Sequence, residues 1–253
     1  MLKQFDKSVI NNSQPEIYSE NVNSKPVLLE AHIVDKKDIF YTKGRILAKN
    51  VYKQVWNTKN LLDNNHYAIV VSYNNNVLGN LNIQLKQQSN PLKSESFFGL
   101  EHWQSYFSVK ETQIAEISAL AIAADTPIHL RKPIMMMLIK GLQNLCGLLG
   151  IKYIVTIQHD YLLRILTKTL HLPFIKNTIV TQPLEGIPSD NYWKRNKPPS
   201  IYYLETLGRE TLETCQSFFC YLNFLGIQTA FYPRITNCYP LSYAAFRKNW
   251  QAK

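Results

Sequence analysis

Glu116 stands in an apolar run, Gln113 to Ala123 (QIAEISALAIA), whose alternation predicts a strand. A carboxylate on such a strand is short of water, so its pKa rises and it becomes a usable base near neutrality. The competing reading is an edge glutamate paired with a Lys or Arg. Ser118 shares its face, two residues on, and can hydrogen-bond a carbonyl; it can equally be an ordinary strand serine. A base beside a hydroxyl suits removal of a proton next to a polarised carbonyl, which needs the base in reach and donors for the oxyanion. Met135-Met136-Met137 with Leu138 and Leu142 could line a flexible apolar pocket, or simply be core. His159 follows a second buried-strand run, where parallel strands end and ligands gather. It reads as a proton shuttle or as a helix-start residue. His32, His66, His102 and His129 show no metal spacing, so no metal site is expected. No HExxH, GxSxG, Walker or dinucleotide fingerprint occurs.

Several elements must position these groups. Val27–Val34 reads as a strand, followed by Asp38 as a helix cap and an amphipathic helix from Ile39 to Trp56. That helix carries Arg45, Tyr52 and Trp56 along roughly one side. His66–Tyr73 and Val77–Leu85 form a hairpin about Asn74-Asn75-Asn76, since Asn tolerates the left-handed turn conformation. Residues 86–112 read as a long loop with a short turn of helix, and loops this long are often functional. After the Glu116 strand come a helix from Lys132 to Leu149, with Pro133 in its first turn and Gly150 at its end. The strand Ile151–Ile157 and the helix Tyr161–His171, capped by Asp160, follow. Strand, helix, strand of this kind predicts adjacent parallel strands. Phe174–Val180 and Ser200–Glu205 read as further strands, then Leu212–Leu225 as a helix and the rest as an irregular aromatic tail. The implied division is an N-terminal arm (1–25), a main domain (26–205) and a helical, aromatic extension (206–253).

The chain has 253 residues and a net charge of +10, with 28 Lys+Arg against 18 Asp+Glu. A hydrophobic fraction of 45% excludes global disorder. Cys146, Cys215, Cys220 and Cys238 form no CxxC pair and fit a reducing, cytoplasmic compartment. No run is apolar enough to span a membrane, and the first 25 residues are too polar for a secretory signal. The basic residues are scattered rather than striped, which argues against DNA as partner. Solubility, peripheral membrane contact or an acidic protein partner remain as uses for the charge.

The segment Ala115–Ile122 (AEISALAI) resembles the E-[IVL]-S-R-[LF]-A-V strand of acyl-homoserine-lactone synthases and long-chain N-acyl amino acid synthases. Arg45–Trp56 (RILAKNVYKQVW) resembles their first-helix pattern, and the element order is that of the GNAT acyltransferase fold. The resemblance covers about residues 27–205. It implies an α/β, GNAT-like mixed central sheet flanked by helices, with a helical C-terminal extension. It implies N-acyl transfer from an acyl-thioester to a small amine acceptor such as an amino acid, with no tightly bound cofactor. Glu116 would be the base and Ser118 a carbonyl contact. Arg45, Tyr52, Trp56 and His159 would line the substrate side, and Ile122 would stand beside the donor.

The sequence departs from the pattern in three places. The arginine after the strand serine is Ala119; the hairpin arginine is replaced around Asn80–Asn82; the acidic cluster after the first helix is reduced to Asp63. The last loss argues against S-adenosylmethionine as acceptor. The missing arginines motivate a second reading, a non-catalytic GNAT-like module that binds lipid, membrane or protein. The turn Asp125–Pro133 has no glycine, where GNAT proteins grip the coenzyme A pyrophosphate with backbone amides. Acyl carrier protein, presenting an acyl-phosphopantetheine, is therefore expected as donor over acyl-CoA. Arg131 and Lys132 would hold its phosphate, or be a solvated helix start.

Overall fold

The structure is a computed structural model, and it describes residues 26–87, 90–99, 103–179 and 187–235. The N-terminal arm, His102, Val180 and Cys238 lie outside the described residues. The strands are β1 (Val27–Asp35), β2 (Tyr67–Tyr73), β3 (Asn76–Leu85), β4 (Ile114–Ile122), β5 (Tyr153–Gln158), β6 (Ile175–Lys176), β7 (Ser200–Glu205) and β8 (Ile227–Arg234). They form one mixed sheet in the order β6-β7-β5-β4-β3-β2-β1-β8.

Helix α1 (Ile39–Trp56) starts where expected because the Asp38 carboxylate accepts the Phe40 N–H at 2.7 Å. It stops at Asn57, which takes the left-handed conformation at φ 54°. Its small residues let it press on the sheet. Ala48 packs on Ala119 and Ala121 of β4, and a Cβ at Gly44 would collide with the Asn80 side chain.

The opposite face carries α4 (Ile128–Leu149) and α6 (Arg209–Phe224). Ile69, Val71, Leu81, Ile83, Ala115 and Ile117 point that way, into the Met135–Leu138 stretch. Alternation along each strand separates the two faces, as an amphipathic pleat requires. Helix α4 begins four residues before the expected Lys132, so Pro133 sits in the second turn. There its missing N–H deprives only the carbonyl of exposed His129.

Other differences are local. The loop 86–112 holds two short helices, α2 (Lys93–Phe98) and α3 (Trp103–Phe107), too short to show periodicity in sequence. Helix α5 is only Asp160–Arg164 and widens into a π turn over Ile165–Thr169. His159, not Asp160, is its N-cap residue; Asp160 instead accepts from the Tyr202 hydroxyl at 2.5 Å. The stretch after α6, expected as an irregular tail, is β8, which pairs with β1 in parallel.

The sheet opens at its centre. β4 and β5 pair in parallel, as expected, from Ile114–Tyr153 to Ile117–Thr156, and part beyond that point. Beyond that point β4 stays with β3, where Gly79 meets Ile122. An extra β4 residue lies between Asn80–Ala121 and Asn82–Ser118, and Ala119 there has φ 52°. This bulge re-aims β4 and leaves the edge it turns from β5 without a ladder.

Candidate active site

Glu116 and Ser118 lie on the α1 side of β4, just before the opening. Glu116 is 2% exposed. Its Oε2 accepts the Ser94 N–H at 2.8 Å, in the first turn of α2. Ser94 is itself fixed, because its Oγ accepts from Trp103 Nε1 at 3.0 Å. Burial pushes the Glu116 carboxyl up, against the opposing pull of the Lys93 ammonium and the Ser94 hydrogen bonds.

Lys93 begins α2 and faces the same space. Its Nζ donates to Ser118 Oγ at 3.1 Å, and Ser118 donates on to Asn65 Oδ1 at 3.0 Å. Burial holds the Lys93 ammonium below its usual range, while Glu116 favours its charge. The chain of bonds continues from Asn65 to Asp63 at 3.1 Å, and Asp63 also takes the Tyr41 hydroxyl at 2.6 Å.

Arg45 ends this network rather than lining the cavity. Its guanidinium donates to Asn82 Oδ1 and to the carbonyls of Leu61 and Leu62, and its Nε lies 3.4 Å from Asp63. It ties α1 to the segment that carries Asn65. All its work is internal, because it is 4% exposed.

Two apolar cavities meet at the opening. The first is lined by Lys93, Phe97, Glu116, Ser118, Leu61, Leu62 and Trp193, among others. The second is lined by Val51, Val55, Trp56, Leu120, Ile122, Met135 and Leu162. Tyr52, Gln158 and Tyr192 line both and stand where the two adjoin. Tyr192 is held there by its hydroxyl, which donates to the Ile157 carbonyl at 2.6 Å. Burial raises the phenols of Tyr52 and Tyr192, so both stay neutral donors.

A third, basic recess lies past the end of β5. His159, Asp160, Tyr161, Arg164, Arg195 and Lys197 line it. Arg195 stacks on Trp56 at 4.5 Å, and Trp56 stacks on His159 at 5.2 Å. His159 Nε2 lies 2.8 Å from the Tyr192 carbonyl. Burial, reinforced by Arg195, lowers its pKa, so the ring is neutral at pH 7 and donates one N–H to that carbonyl.

The structure thus gathers Glu116, Ser118, Tyr52, Trp56, Ile122 and His159 about the opening. Arg131 and Lys132 stand apart. Arg131 donates to the carbonyls of Thr126 and Ala124 at 3.1 and 2.9 Å. Lys132 Nζ lies over the Tyr221 ring of α6 at 4.3 Å. Among the described residues, no group of three metal-ligating side chains occurs. Lys93, Asn65, Gln158 and Tyr192 escaped the sequence reading. Only the unusual length of the 86–112 loop pointed toward Lys93.

No protein-family model matches the sequence, and no curated protein matches it. Solved structures do match in fold. The AHL synthase LasI aligns at TM-score 0.53 and 13% identity, over 75% of this chain and 95% of its own. BjaI, a CoA-dependent acyl-homoserine lactone synthase solved with SAM and isopentyl-CoA, aligns at TM-score 0.55 and 12% identity. That alignment covers 88% of this chain and 99% of BjaI. TofI, solved with an inhibitor and MTA, aligns at TM-score 0.50 and 9% identity, over 74% and 96%. The chain therefore has the GNAT-like fold of these synthases, as the strand motif implied. No described helix is long and apolar enough to cross a membrane.

Proposed function

We propose that the protein is an N-acyltransferase that moves an acyl group from an acyl-thioester to a small amine acceptor such as an amino acid. The observation that carries this reading is the position of Glu116, buried beside the point where β4 and β5 part, in a cavity that shares Tyr52, Gln158 and Tyr192 with a second. The thioester arm would enter between the strands, with its acyl chain against the apolar walls. The acceptor amine would lie against Glu116, which takes its proton as nitrogen attacks the thioester carbon. Ser118 would hydrogen-bond the acyl carbonyl. A tetrahedral intermediate forms, the C–S bond breaks, and the departing thiolate would take up the proton held by Glu116 and leave as the thiol on its carrier.

The donor we propose is acyl carrier protein. BjaI shows that a chain of this fold can depend on CoA, so the fold itself does not choose the carrier. The choice would rest on the mouth. The turn before α4 lacks glycine, and Arg131 and Lys132 are engaged elsewhere. The exposed cations Arg164, Arg195 and Lys197 rim the recess beside the opening instead. They suit an acidic carrier and its phosphopantetheine phosphate. We place the reaction in the cytoplasm, where acyl carriers are charged.

The test is acyl-carrier protein and acyl-CoA, each incubated with the purified chain and a pool of amines, with mass spectrometry of the organic extract. New acylated amines support the enzyme. Their absence, with a folded protein, supports a GNAT-like binding module.

A further inference from the structure

We infer that Lys93 anchors the carboxylate of the acceptor, so that the acceptor binds as a zwitterion and a free carboxylate is required. This rests on the acyl-transfer reading above and adds the residue that decides which amines are used.

The lining of the first cavity is mostly apolar. Among its described residues Lys93 is the sole cation, set against two acids, Glu116 and Asp190. Asp190 is already engaged by the Thr58 hydroxyl at 2.9 Å and the Tyr192 N–H at 3.1 Å. Glu116 and Lys93 are therefore the pair of opposite charges left to meet a ligand. An ammonium has three donors, and Ser118 Oγ takes one of them. Glu116 likewise keeps acceptor capacity beyond its bonds to Ser94.

Position follows from the fold. Lys93 starts α2 while Glu116 receives the next amide of that helix, so one short element fixes both. An amino acid joins its ammonium and carboxylate through a single carbon. With the amine against Glu116, its carboxylate falls on the Lys93 side. An acceptor without that carboxylate would leave a desolvated ammonium facing apolar walls, which is costly. Arg45, the other buried cation nearby, lines neither cavity and donates to Asn82, Leu61 and Leu62.

The experiment offers the protein a mixture of the twenty amino acids, then a mixture of their C-terminal amides, with acyl carrier protein and acyl-CoA as donors. KM is measured on the best amino acid and its matched amide. Wild type is expected to use the free acids in preference. Lys93→Met should raise KM for the acid relative to the amide by about 10–100-fold, the worth of a hydrogen bond to a charged group. Because any effect of the variant on Glu116 falls on both acceptors alike, their ratio isolates the carboxylate. Lys93→Gln, which keeps a donor, provides a second measurement should the methionine variant fold poorly. Equal use of acids and amides by wild type, or a preference that survives both variants, overturns the inference while transfer itself stands. Transfer to neither mixture overturns the reading beneath it, and the inference with it.

Discussion

The hydroxyl of Thr156 donates to the carbonyl of Ile117 at 3.2 Å, across the last paired position of β4 and β5. A side chain thus takes up a backbone acceptor at the point where the ladder stops. An interior strand end left without that bond would expose an unsatisfied carbonyl to apolar surroundings.

Thr156→Val keeps the shape and removes the donor. Stability should fall by about 1–3 kcal/mol, the cost of stranding a buried acceptor. Turnover should fall as well, since the edge of the opening loosens. Chemical denaturation of the variant with an unchanged midpoint would show that the hydroxyl is not needed there.

Glu116→Gln should leave the fold intact and lower turnover by roughly 10²–10⁴-fold, the usual share of a general base. The pH profile is the sharper readout. Burial raises the Glu116 carboxyl, so wild-type activity should climb with pH above the ordinary carboxylate range. The glutamine variant should lack that limb, and its defect should shrink at high pH, where the amine is already deprotonated. Full activity, or a loss of stability near 3–5 kcal/mol, would instead mark a structural ion pair.

The cations at the recess and at the start of α4 should behave differently. Arg195→Ala with Lys197→Ala should raise KM for acyl carrier protein, and the wild-type affinity should weaken with salt. Arg131→Ala should leave KM alone and cost about 1 kcal/mol from its lost bonds to the turn. Kinetics on the two variants side by side decide the matter; a carrier defect confined to Arg131→Ala would return the phosphate to the start of α4.

Acid should destabilise the protein through its histidines. Burial lowers the pKa of His32, His66 and His159, so the folded chain resists protons that the unfolded chain accepts. Their contribution is whole above the ordinary imidazole value of about 6.5 and declines as pH falls below it. His32 is stacked between Phe40 and Tyr232. His32→Phe keeps that stacking, so thermal melts from pH 7.5 to 5.5 should fall less steeply than wild type. An equal slope would remove His32 from the account.

Much of the frame could be read from residues close in sequence. Asp38 and Gly150 mark helix ends by local chemistry, and the α1 and β7 bounds were read as they stand. The parallel placement of β4 and β5 followed from the helix between them. What depends on distant contacts was not legible. β8 (IQTAFYPR) has no clean alternation and becomes a strand only because β1 offers it an edge. The site shows the same division. Glu116 and Ser118 declared their shared face through strand period. Lys93 opens a short helix and Asn65 and Tyr192 come from loops, and only tertiary packing brings the three together. Arg131 and Lys132 were placed at a helix start, but α4 begins at Ile128. One extra turn carries Arg131 back onto its own loop and Lys132 over to α6.

The pairing of β1 with β8 also sets a schedule for folding. Val27 meets Ile227, so one of the first described strands emerging from the ribosome waits for one of the last. Until then β1 shows an open row of backbone donors and acceptors beside Leu29, Ala31 and Ile33. Contacts so far apart in sequence close slowly, and the waiting edge is where nascent chains would stick to one another. Arrival of β8, rather than formation of the central strands, is the moment at which β1 loses its open edge, and the outer position passes to β8.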